Sequence, residues 1–264
     1  RRSSDLRKAD AIGWYEKVLK DWPENESALV ALTDLYAEAG NHGKLVDVLE
    51  KRVDLSADYI EKVELQFRAG QVLENEVHDP KRAVVAYAKI LDFDDSHVPT
   101  LDALIRLYEQ LKDWEKLVGA LDRKAGTMPP DEIDIRFRAG TVLEEKVGDA
   151  KRAIKAFEAV LEQNPAHSAA IDRLQSLYGG LEDWAGLADV FQRLLDMSNE
   201  VPDRILYCNR LGVLYHDALG DDRKALDYYL QVLDLDPEDD EVFETAVGLL
   251  TKMEDWSELV NLYE

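Results

Sequence analysis

One short string recurs along this chain: Asp113-Trp114-x-x-Leu117, Asp183-Trp184-x-x-Leu187 and Asp255-Trp256-x-x-Leu259. Aligning 113–121, 183–191 and 255–263 exposes a fourth member, 41–49, with His42 in the Trp place, and the steps from His42 to the three Trp residues are 72, 70 and 72. A second family interleaves with the first at 11–19, 83–91, 153–161 and 225–233. From Ala11, Ala83, Ala153 and Ala225 to Leu45, Leu117, Leu187 and Leu259 the distance is always 34 residues, and the return step is 36 to 38. The chain is one array of half-units of two alternating types. A period in this range is the signature of stacked supersecondary units, each too small to bury its own apolar face.

Each half-unit carries two amphipathic helical patterns. In 133–147, Ile133, Phe137, Val142 and Leu143 mark the apolar face, while small Ala139 and Gly140 let a second helix come close. Asn164 and Pro165 stop the helix that follows. Pro23, Pro165 and Pro237 each lie eight residues after an aromatic, Tyr15, Phe157 and Tyr229. Strand alternation is nowhere sustained. These patterns predict an all-α array of antiparallel helix pairs over 1–264. It has a leading helix at 7–20 and hairpins at about 27–54, 58–92, 97–125, 131–162, 167–197, 202–234 and 239–264.

The Trp falls at the turn inside a hairpin, where a buried indole, removing roughly 200 Å² from water, would wedge two helices apart at a fixed angle. The preceding Asp113, Asp183 and Asp255 suit the N-cap of the next helix, and His78 stands where Gly148 and Gly220 stand in sister turns.

Composition removes several function classes. With 32 basic and 55 acidic side chains the net charge is -23, which argues against nucleic acid or anionic lipid as the main ligand and favours a basic partner. No apolar run approaches the roughly 20 residues of a membrane span, and no charged-then-apolar leader precedes the array. The single Cys208 excludes an internal disulfide framework and fits a reducing compartment such as the cytoplasm; on an apolar face it is a core residue.

Chemistry-bearing motifs are missing. The five histidines form no metal-ligand spacing, and His97 and His167 occupy equivalent inter-repeat turns. No phosphate-binding glycine loop occurs, and no acid, base and nucleophile set converges. The acidic stretch 234–241 lacks the glycine and late glutamate of a calcium loop, since Thr245 falls at the latter place. No metal, no cofactor and no catalysis are expected.

Leu211-Gly212-x-x-Tyr215, Ala225-x-x-x-Tyr229 and Pro237 together resemble the tetratricopeptide repeat family, and Ala139-Gly140-x-x-Leu143, Ala153-x-x-x-Phe157 and Pro165 repeat the frame. The other half-units depart from it: Leu45, Leu117, Leu187 and Leu259 replace the small residue of the second helix, so helix packing there is expected to be looser. The resemblance implies a right-handed superhelical solenoid whose first helices line a concave groove. The inward set would be Asp34, Glu64, Phe67, Arg68, Gln71, Glu74, Asp102, Arg106, Glu109, Asp134, Phe137, Arg138, Thr141, Glu144, Asp172 and Ser176. Family members that capture a peptide's terminal carboxylate use Lys and Asn there; this set is acidic with two Phe residues embedded. It suits a basic or amphipathic helical segment of a partner protein.

Two cationic ladders accompany the repeat. Arg68, Arg138 and Arg210 share one place on the first helix, and Lys81-Arg82, Lys151-Arg152 and Arg223-Lys224 open the second helix; both ladders are expected to pair with acids from adjacent helices such as Glu74, Glu144 and Glu145 and hold the stack in register, the alternative being a partner-facing stripe. The final helix shows Leu259, Val260, Leu262 and Tyr263 with nothing after them, which raises two other roles. One is an assembly element that stacks, docks or self-associates through its ends. The other is the docking arm of an enzyme lying outside this segment.

Overall fold

The computed structural model describes residues 2–128 and 131–263. Helices alternate with short links: α1 (Arg2–Asp21), α2 (Glu26–Ala39), α3 (His42–Leu55), α4 (Tyr59–Asn75), α5 (Pro80–Ile90), α6 (Val98–Leu111) and α7 (Trp114–Thr127). They continue as α8 (Glu132–Val142, extended by a π-turn at Leu143–Val147), α9 (Ala150–Gln163), α10 (Ser168–Gly180), α11 (Trp184–Met197), α12 (Val201–Asp217), α13 (Asp222–Leu235), α14 (Asp240–Lys252) and α15 (Trp256–Tyr263). No strand occurs among the described residues. Two compact units divide the chain, 1–132 and 133–264.

One rule makes the turn inside each helix pair. A residue in the left-handed region is followed at once by an Asx residue at the N-cap of the second helix. The left-handed places are Gly40, His78, Lys112, Gly148, Glu182, Gly220 and Glu254, and every positive φ among the described residues is at one of them. The caps are Asn41, Asp79, Asp113, Asp149, Asp183, Asp221 and Asp255. The left-handed residue stops the first helix and the Asx carbonyl or carboxylate takes an orphan N–H of the next. Asp79 accepts from Arg82 N at 3.1 Å, Asp149 from Arg152 N at 3.0 Å and Asp183 from Gly186 N at 2.9 Å. Asp113 makes no such bond; it pairs with Lys116 at 2.8 Å.

The links between pairs are capped by other residues at their far ends. His97 and His167 are the N-caps of α6 and α10, accepting through Nδ1 from Thr100 N (3.3 Å) and Ala170 N (3.1 Å). Asp239 caps α14.

Glycine lets α4/α5, α8/α9 and α12/α13 close tightly. A Cβ on Gly70 would come within 2.5 Å of the Tyr87 ring, one on Gly140 within 2.8 Å of Phe157 and one on Gly212 within 2.6 Å of Tyr229. In the first unit a core of Leu29, Leu32, Tyr36, Leu45, Leu49 and Leu65 forms between successive helices, with Ile12, Tyr15 and Leu19 of α1 packed against it. Burying such side chains contributes about 1.5–3 kcal/mol each.

The indoles differ from expectation. Each Trp takes the first position of its helix, but Trp114 and Trp184 are only half-buried, and Trp256 is 58% exposed, as no residue of α15 is buried. The physical reason is their place at the rim of the turn: the Trp184 ring lies on Gly179 in the last turn of α10, covering a helix end rather than filling the space between helices. Leu117 and Leu187, one turn on, take the fully buried positions.

Candidate functional site

The residues expected to line the groove all lie on first helices, α2, α4 and α6 in the first unit and α8, with its π-turn, and α10 in the second. In the first unit Asp34 (α2), Glu64, Arg68 and Gln71 (α4), and Asp102, Arg106 and Glu109 (α6) are exposed, while Phe67 and Glu74 are half-buried. Phe67 is not a free anchor. Its ring packs on Tyr87 at 5.3 Å and edge-on to His97 at 5.6 Å, filling the joint between α4, α5 and the start of α6. Glu74 accepts from the Tyr87 hydroxyl at 3.1 Å and is gripped by Arg106 through Nε at 3.0 Å and Nη2 at 2.7 Å. Asp102 receives Lys124 of α7 at 2.6 Å.

The second unit repeats the scheme with changes. Phe137 packs between Phe157 (5.3 Å) and His167 (5.0 Å). The Thr141 hydroxyl donates to the Phe137 carbonyl at 3.0 Å. Glu144 and Glu145 both accept from Arg173 of α10, at 3.1 and 2.9 Å. Asp134, Arg138, Asp172 and Ser176 are exposed.

The first ladder therefore works differently from the sequence expectation. Glu74, Glu144 and Glu145 are held by Arg106 and Arg173 of the following hairpin, not by Arg68 or Arg138, while Arg210 donates to Gln175 of the preceding hairpin at 3.0 Å. Arg68 and Arg138 precede those acids by six or seven residues on the same helix, well over one turn away, whereas an arginine on the next first helix reaches across the joint. Arg106 and Arg173 occupy different repeat positions, so no internal periodicity announces them. The second ladder sits beside its own helix caps: Arg152 and Lys224 lie 3.9 and 3.8 Å from the carboxylates of Asp149 and Asp221. Those carboxylates offset the unfavourable placing of cations at a helix start. Arg223 goes further, bridging Asp255 at 3.0 Å and Glu258 at 2.9 Å to tie α13 to α15.

Four carboxylates on these first helices, Asp34 and Glu64 in the first unit and Asp134 and Asp172 in the second, are exposed and engage no cation or hydrogen-bond donor among the described residues. Among the described residues no cluster of three or more His, Cys, Asp or Glu able to hold a metal ion occurs, and no helix is long and apolar enough to cross a membrane. Cys208 is fully buried in α12, and burial pushes its thiol up, with nearby Arg204 opposing.

Residues 208–242 match the family model of the tetratricopeptide repeat. That stretch holds Leu211, Gly212, Tyr215, Ala225, Tyr229 and Pro237, the residues on which the resemblance rests. Among solved structures the chain is similar to a tetratricopeptide repeat protein from Parabacteroides merdae (12% identity, 94% of each chain, TM-score 0.38). It is also similar to MamA from Desulfovibrio magneticus RS-1 (22% identity, 67% of this chain and 97% of that one, TM-score 0.34). A third is YrrB, titled a TPR protein with an unusual peptide-binding site (17% identity, 72% of this chain and 98% of that one, TM-score 0.34). No curated protein matches.

Proposed function

We propose that this chain, whose segment 208–242 is a tetratricopeptide repeat, is a non-catalytic scaffold that binds a basic, amphipathic segment of a partner protein along its first helices. The observation that carries the reading is the set of unpaired, exposed carboxylates Asp34, Glu64, Asp134 and Asp172. Elsewhere this acid-rich chain repeatedly satisfies carboxylates internally, as at Glu74, Glu144 and Glu145. Glu64 and Asp134 stand free on the helices that carry half-buried Phe67 and Phe137, with Asp34 and Asp172 on the neighbouring first helices α2 and α10. A helix with a cationic face and an apolar stripe complements both the acids and the rings.

The test must separate a specific face from the bulk charge of -23. Affinity of an amphipathic Lys/Leu helical peptide is measured by calorimetry against the 1–264 chain. The variants are Asp34→Lys with Glu64→Lys, Asp134→Lys with Asp172→Lys, and a control pair at inter-repeat turns, Asp95→Lys with Glu238→Lys. Each first-helix pair is expected to weaken binding about tenfold, or ~1.4 kcal/mol, with the control pair much less affected. Equal losses from all three would reduce the attraction to net charge and overturn the reading.

A further inference from the structure

The second helix of one pair meets both helices of the next in a three-helix junction, and comparing its copies isolates one that is incomplete. At α1/α2/α3 the Tyr36 hydroxyl donates to Glu16 at 2.8 Å and Lys44 reaches the same oxygen at 2.5 Å. At α9/α10/α11 the Tyr178 hydroxyl donates to Glu158 at 3.1 Å and Arg193 closes on its other oxygen at 3.1 Å. A tyrosine, a glutamate and a cation thus seal both junctions.

At α5/α6/α7 the tyrosine and the cations remain, but the acids are gone. Tyr108 and Lys116 are equivalent to Tyr36 and Lys44, and Arg123 is equivalent to Arg193. Ala88 stands where Glu16 and Glu158 stand, Gly119 replaces Asp47 and Asp189, and Ala120 replaces Val48 and Val190. These three truncations leave a cleft of about 450 Å³ walled by Leu91, Leu104, Tyr108 and Ala120, with Lys116 and Arg123 beside it. A Cβ built on Gly119 meets nothing within 4 Å, so the space there is open. Tyr108 is 7% exposed, yet its hydroxyl has no hydrogen-bond partner among the described residues. Lys116 lies 5.9 Å from the Tyr108 ring centroid and turns back to Asp113, the cap of its own helix. Asp92 and Glu115 also line the cleft. The α13/α14/α15 junction is open too, but Leu250 and Glu258 replace the tyrosine and the lysine there, so it offers an acid nothing.

We propose that the α5/α6/α7 junction docks a glutamate side chain from an apolar-flanked segment of a partner protein, supplying in trans the carboxylate that Glu16 and Glu158 supply within the chain. The sister junctions specify the occupant. They show a carboxylate accepting from a tyrosine hydroxyl and a cation at once, and charge-assisted bonds of that kind are the stronger class. The apolar walls accept the methylene stem and a neighbouring leucine-like side chain. The Tyr108 hydroxyl opens into the cleft and is free to donate to the docked acid. This surface is separate from the first-helix carboxylates and does not rest on their role.

The variant Ala88→Glu returns the missing group to the chain itself and mimics two junctions that already fold. Displayed random peptides are selected on the 1–264 chain after depletion on Ala88→Glu, and enriched peptides are titrated as synthetic segments. The enriched peptides are expected to carry Glu beside Leu, Ile or Met. They should bind the unaltered chain about tenfold more tightly than Ala88→Glu and lose a similar factor when their Glu is changed to Gln. A second variant, Lys116→Gln with Arg123→Gln, alters two exposed side chains and should show the same loss; it replaces Ala88→Glu in the depletion step if circular dichroism shows that variant unfolded. No enrichment, binding indifferent to Glu→Gln, or equal binding to the variants would overturn the assignment.

Discussion

Pairs α4/α5, α8/α9 and α12/α13 put glycine under an aromatic ring, whereas pairs α2/α3, α6/α7 and α10/α11 put leucine at the place of that glycine. Gly70, Gly140 and Gly212 face Tyr87, Phe157 and Tyr229; the equivalent places hold Leu32, Leu104 and Leu174 in α2/α3, α6/α7 and α10/α11, with Leu49, Leu121 and Phe191 at the ring's place, and Ala246 with Tyr263 in α14/α15. The missing Cβ is what lets the Tyr87, Phe157 and Tyr229 rings lie on Gly70, Gly140 and Gly212. Yet Leu32, Leu49, Leu104 and Leu121 are as buried as Tyr87. Between α4/α5 and α6/α7 the volume exchanges sides: Gly70 opposite Tyr87 becomes Leu104 opposite Leu121, with no loss of burial. Glycine under a ring in α4/α5 and leucine against leucine in α6/α7 are two solutions to one packing problem.

The sharpest way to break that comparison is to force one solution into the other's spacing. Gly70→Leu pushes a branched side chain into a ring that a bare Cβ already meets at 2.5 Å, and is expected to cost about 3 kcal/mol. Adding Tyr87→Leu reproduces the Leu/Leu arrangement of α6/α7 and should recover at least about 1 kcal/mol relative to additivity. Urea denaturation of the two singles and the double measures the coupling. Additive costs would show that the two pair types are not interchangeable fillings of one geometry.

A second comparison sets one residue type against itself. Trp184 covers Gly179 at the end of α10, and Trp184→Ala should cost about 2 kcal/mol, in the range of large-to-small changes at a partly buried site. Trp256 is exposed, and Trp256→Ala should stay within about 0.5 kcal/mol. Matching losses in thermal or urea unfolding would contradict the rim placement.

Both the repeat and the helical class are legible in the residues because stacking imposes them on every copy. Gly140 and Phe157, or His78 in the place of Gly148, announce themselves by position. What stayed hidden is what the repeat does not repeat. Arg106 and Arg173 grip equivalent acids from different positions, and Lys112, Glu182 and Glu254 adopt a left-handed backbone that no glycine signals. Ala88 and Gly119 look like ordinary small residues until the tyrosines of neighbouring junctions show which partner is missing. Helix periodicity places the first-helix acids together; only the side-chain contacts separate Glu74, which is occupied, from Glu64, which is free.

The Asp-Trp turns also diverge at their caps. Asp183 accepts from Gly186 N at 2.9 Å, so Asp183→Ala should cost about 1 kcal/mol. Asp113 makes no cap bond and only an exposed pair with Lys116, so Asp113→Ala should cost less than about 0.5 kcal/mol. Unfolding midpoints of the two variants, at matched m-values, test the ranking; a reversed order would mean the Asp113 carboxylate serves another group.

The smallest expected effect concerns the left-handed residue that precedes each cap. Gly148 holds φ near 77° and Lys112 holds φ near 56°, at equivalent places in the two pair types. A side chain in that region costs on the order of 1 kcal/mol relative to glycine, through the contact of Cβ with the following carbonyl. Glycine gives back part of the gain, because the unfolded chain becomes more flexible. Lys112→Gly should therefore stabilise by about 0.5 kcal/mol and Gly148→Lys should destabilise by about 1 kcal/mol. The sign is the informative quantity. If Lys112→Gly lowers the unfolding midpoint, the lysine side chain contributes more at that turn than its backbone strain removes, and the seven turns do not share one energetic rule.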